Sequence, residues 1–64
     1  MLTYDQGHKA AQLMEEMGGG FASAIAWAFY KADLHNASIL LEAYEEMFHR
    51  FYELAMARES RIMA

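Results

Sequence analysis

The chain contains no cysteine and no proline. Without cysteine, neither a disulfide nor a thiolate-ligated zinc can staple the fold. Without proline, nothing in the sequence forces a kink in a helix. Cations are scarce as well: five Lys and Arg face nine Asp and Glu, for a net charge of −4. That balance opposes phosphate binding unless cations cluster, as Arg50, Arg58 and Arg61 do only in part, so no nucleic-acid partner is expected. Long apolar runs are also missing. The longest uncharged stretch, Met17 to Tyr30, falls short of the roughly 20 residues a membrane-spanning helix needs, so no membrane partner is expected. The early acid Asp5, with no basic segment before an apolar run, is unlike a secretory signal, and the cytoplasm is the expected location.

What the sequence does have is helical periodicity. From Leu34 to about Arg58, apolar residues recur at Leu34, Ala37, Leu41, Tyr44, Phe48, Phe51 and Ala55. This alternation of three and four keeps one stripe of a helix apolar over its whole length. A second row, Leu40, Met47 and Leu54, widens the stripe to the breadth of a bundle core. Before it, Thr3 and Gln6 have the spacing of a capping box, which starts a first helix over about 4–17 with Ala10, Leu13, Met14 and Met17 on one face. Gly7 lies in its first turns and, at a cost of about 1 kcal/mol against alanine, predicts a frayed start. Gly18, Gly19 and Gly20 end that helix. No strand precedes the triplet and no Lys-Ser/Thr pair follows it, so it reads as a turn and not as a phosphate loop.

Phe21 to about Ala32 forms the second helix. It is apolar nearly all round, which predicts the central, most buried element, with Trp27 and Tyr30 needing polar partners if buried. Asp33 is suited to N-cap the long helix, both by its side-chain acceptor and by its charge at the dipole's positive end. After Arg58 the register meets arginines, and fraying is expected with Ile62 and Met63 loosely held. The expected fold is therefore all-α: a single domain over 1–64 with a short helix (about 4–17), a buried helix (about 21–32) and a long amphipathic helix (about 34–58).

Helix lengths then suggest a partner. At 1.5 Å per residue the second helix spans about 18 Å and the third about 37 Å. Folded back, Phe21 comes opposite roughly Glu46, which leaves the far half of the long helix uncovered. An exposed aromatic row marks an association surface. We therefore expect the helical hairpin to assemble into a homodimeric bundle through Tyr44, Phe48, Phe51, Tyr52, Leu54 and Ala55.

Constellations able to do chemistry are sparse. Glu46-x-x-His49 has the spacing of carboxylate-bridged dimetal bundles, the basis of an alternative reading as a metal-binding bundle. Both residues, however, point away from the apolar stripe, and no further carboxylate completes the site, so neither metal nor cofactor is assigned. His8 and His35 share no ligand spacing. The outer face with Glu42, Glu45, Glu46, Arg50 and Glu53 reads as a solvated helix surface, with Glu46 and Arg50 as an i, i+4 pair. Its functional reading is an acidic patch that occupies a basic surface on a partner, in the manner of a nucleic-acid mimic or antitoxin-like inhibitor. With no activated serine, no cysteine and no paired inward carboxylates, we expect no enzyme.

The segments Gly19-Gly20-Phe21, Ala32-Asp33 with Asn36, Ala43-Tyr44-Glu45-Glu46-Met47-Phe48 and Arg50-Phe51-Tyr52 resemble small uncharacterised helical proteins of tailed, lambdoid-type phages and prophages. Those typically read Gly-Gly-x-Phe, Ala-Asp-x-x-Asn and Ala-Phe-Pro-Glu, and the resemblance covers residues 19 to 52. Glu45 stands here in place of their proline, so whether the long helix breaks near Tyr44 stays open at the level of sequence. The resemblance implies a phage accessory product that modulates a host function by binding in the host cytoplasm, without catalysis.

Overall fold

The computed structural model describes residues 1–63, with the side chains of 1–61. Four helices follow one another: α1 (Tyr4–Met17), α2 (Gly19–Lys31), α3 (Leu34–Ala43) and α4 (Glu45–Met63). The fold is all-α, as the periodicity predicts. The capping box of α1 forms: the Gln6 N–H donates to Thr3 Oγ1 at 3.2 Å, and the Thr3 N–H donates to Gln6 Oε1 at 2.9 Å. Asp33 caps α3 by accepting from the Asn36 N–H at 2.8 Å. The glycine turn is tighter than expected, because Gly18 alone separates α1 from α2 and Gly19 already belongs to the second helix.

The expected long helix is divided at Tyr44, whose backbone (φ −117°, ψ 38°) leaves the helical region. The hydrogen-bond ladder runs as far as Tyr44 N–H on Leu40 C=O and restarts at Phe48 N–H on Tyr44 C=O, both at 3.0 Å. The break gives up about three ladder bonds at the surface, each worth on the order of 1 kcal/mol net. In return α4 turns back onto α1 and buries Phe48 and Phe51, each worth about 1.5–3 kcal/mol. Burial outweighs the ladder, even without proline. The helix also continues past Arg58 to Met63, beyond the expected end; the side chains of Ile62 and Met63 lie outside the described residues.

α1, not α2, is the central element. It contributes Gly7, Ala10, Ala11, Leu13 and Met14 to the interior, against Ala22, Ala26 and Phe29 from α2. α2 packs antiparallel to it, with Phe29 stacked on Tyr4 (ring centroids 5.4 Å apart). α4 runs parallel to it on the other side, as the contacts Gln6–Tyr52 and Glu16–Arg58 show. α3 is the crossover between them. Phe29 stands where all four helices meet: it is fully buried, lies 5.4 Å from the Phe48 ring, and faces Gly7. A Cβ at Gly7 would come within 2.7 Å of Leu41 Cδ2 and 3.0 Å of Phe29 Cζ. The glycine read as a point of fraying is thus the close-approach point of the core. Phe21 meets Tyr44 across the α2–α3 hairpin at 5.7 Å between centroids, close to the register that the helix lengths predict.

Candidate functional site

Division of the long helix changes which residues are available at the surface. Of the row expected to pair with a second chain, Phe48 and Phe51 are 0% and 8% exposed. Tyr44, Tyr52 and Ala55 pack half-buried against the same core. The premise that they have nothing of their own chain to cover them does not hold: α1 and α2 cover them. Leu54 alone of the six remains exposed, at 49%.

The uncovered apolar surface lies instead on α2. Its buried line passes through Ala22, Ala26 and Phe29, which turns Phe21, Ala24, Trp27 and Ala28 outward. Phe21 is 63% and Trp27 52% exposed, the latter held edge-on to Tyr30 at 5.7 Å. No charge interrupts this face until Lys31. The expectation that this helix is the most buried element does not hold for this face, because an all-apolar helix does not declare which side faces inward. The alanine spacing at 22 and 26, continued by Phe29, is the signal that could have chosen the side. Burial of Tyr30, and secondarily the charges of Glu15 and Glu16, hold its phenol above the usual range.

The acidic residues gather at the α3–α4 elbow, where Glu42, Glu45, Glu46 and Arg50 border one shallow concavity. Glu53 lies further along α4. The expected Glu46–Arg50 pair is not formed. Glu45 is the engaged carboxylate, 3.4 Å from the Met1 amino group and 3.8 Å from His49 Nε2. Among the described residues no three His, Cys, Asp or Glu side chains converge as metal ligands, so Glu46 and His49 are not joined by a third ligand. His8 lies half-buried among Tyr4, Phe29 and Tyr30, at 5.1 Å from the last, while His35 is exposed.

Two concavities lie side by side along the α1–α4 seam, and the ion pair Glu16–Arg58 (2.9 Å) borders both. One, of about 430 Å³, also holds the ion pair Lys9–Glu59 (3.0 Å). The other is an open groove of about 580 Å³ lined by Leu13, Met17, Leu54, Ala57 and Arg61 beside that shared pair. Among the described residues no polar side chain is buried and no buried side-chain nitrogen or oxygen lacks a hydrogen-bond partner. The surface offers apolar contact and charge for binding. No described helix is long and apolar enough to cross a membrane. No protein-family model, curated protein or solved structure matches the chain.

Proposed function

We propose that this chain is a small, non-enzymatic protein–protein interaction module, a phage or prophage accessory product that works as a homodimer in the host cytoplasm and modulates a host protein by binding it. The observation that carries this reading is the uncharged α2 face, on which Phe21 and Trp27 stay more than half exposed. Exposed aromatics on a rigid helix are the common anchors of protein interfaces, since they bring large contact area at low entropic cost. The elbow acids Glu42, Glu45 and Glu46 flank the hairpin and favour a partner with a basic rim. The resemblance over residues 19 to 52 supports the phage setting.

The test is site-specific photocrosslinking in host cells, with a benzophenone amino acid at Phe21 or Trp27 and, as control, at Asp5 on the exposed side of α1. The expected result is one adduct shared by positions 21 and 27, absent from position 5 and abolished when the neighbouring anchor is changed to glutamate. No shared adduct would overturn the α2 face as the binding surface.

A further inference from the structure

The outer stripe of α4 carries a pattern that neither the core nor the α2 face uses. Glu46, Arg50, Glu53, Leu54, Ala57 and Arg61 are all exposed. Stepping by three or four residues, with Glu53 and Leu54 adjacent, they cover one stripe about 100° wide along the helix. Leu54 and Ala57 form its middle, beside Leu13 and Met17 in the open groove. Opposite charges occupy its ends, Glu46 towards the elbow and Arg61 towards the C-terminal end. None of Glu46, Arg50, Glu53 and Arg61 takes part in the ion pairs found among the described residues, whereas Arg58 is held by Glu16 and Lys9 by Glu59.

We infer that the homodimer of the proposed reading forms by antiparallel packing of this α4 stripe on the same stripe of a second copy. A two-fold axis passing between positions 53 and 54 sets Glu46 opposite Arg61 of the second copy, and Arg61 opposite its Glu46. The same axis brings the two Leu54 side chains together over the grooves. The terminal charges argue for a second copy as the occupant: Glu46 at one end of the stripe and Arg61 at the other meet their opposites when the stripe is reversed. The chain's net charge of −4 makes two copies repel over most approaches. Attraction requires a face on which cations of each copy meet acids of the other.

The inference rests on the homodimer part of the proposed function, and sedimentation equilibrium on the full chain separates the two. Four proteins are compared over about a hundredfold range of concentration: wild type, Glu46→Arg, Arg61→Glu, and the double exchange. Both substituted positions are exposed, and circular dichroism checks that each protein is folded. The wild type should be dimeric. Each single reversal creates two like-charge contacts by symmetry and should weaken the dimer about tenfold or more, while the double exchange should restore it. Leu54→Arg, at the centre, should give a monomer. A wild-type dimer insensitive to the single reversals, or not restored by the double exchange, would overturn the α4 interface and leave the homodimer on another face. A monomeric wild type would overturn the inference and the homodimer together, while the α2 face would still stand or fall by the crosslinking result.

Discussion

Gly7 shows how far one residue's meaning depends on what faces it. In an isolated helix, alanine there would be the better residue by about 1 kcal/mol. Here the added methyl would press on Leu41 and Phe29, both buried, and overpacking costs about 1–3 kcal/mol. We expect Gly7→Ala to destabilise the chain by about 1 kcal/mol net in urea unfolding; a gain instead would show that the core yields at this point. No pattern within the first helix could reveal this, because the constraint comes from residues more than twenty positions away. Tyr30 gives a pH prediction. Its phenol is raised in the folded state, first by burial and then by Glu15 and Glu16, so the folded chain holds that proton more tightly than the unfolded one. The associated stability is complete below the ordinary phenol pKa of about 10 and is lost as pH rises through the higher folded value. Tyr30→Phe should therefore flatten the loss of melting temperature above about pH 10 relative to wild type.

The helix boundaries divide into those set by local chemistry and those set by packing. The start of α1 and the Asp33 cap were legible because capping acts over three residues and needs nothing else. The glycine triplet was legible as a turn, but its three members differ. Gly19 takes φ +77°, a conformation costly for other residues, whereas nothing lies within 4 Å of a Cβ at Gly20. Gly19→Ala should cost about 1–2 kcal/mol, and Gly20→Ala, near the start of α2, should gain roughly 0.5–1 kcal/mol. Thermal unfolding of the pair reads both signs. The break at Tyr44 stays undecided in the sequence for the opposite reason. The three-four repeat passes through it unaltered, since the same residues face the core on either side of the bend, and only the place to which Phe48 returns decides that the helix must turn. The α2 face was misread on similar grounds: composition fixed it as apolar, and the position of α1 fixed which half is covered.

As a whole, the chain closes on itself. Its exposed surface of 4347 Å² is close to the roughly 4,200 Å² that area scaling gives for a folded monomer of this mass. A chain of this length has on the order of 3–10 kcal/mol of stability to lose. Phe48→Ala, at a fully buried site, should cost about 3–5 kcal/mol and leave a largely unfolded chain by circular dichroism; retention of full helicity would instead mark the aromatic row as an association surface, as the helix lengths alone suggest. The central position of α1 has a further consequence. α1 is made before the helix that must pack on it, since α4 lies parallel to α1 on the side opposite α2. During synthesis the α1–α2 hairpin emerges with the α1 surface that will receive Phe48 and Phe51 still open to water. This core cannot close until α4 has left the ribosome, so the nascent hairpin is a stage open to proteases and holding chaperones.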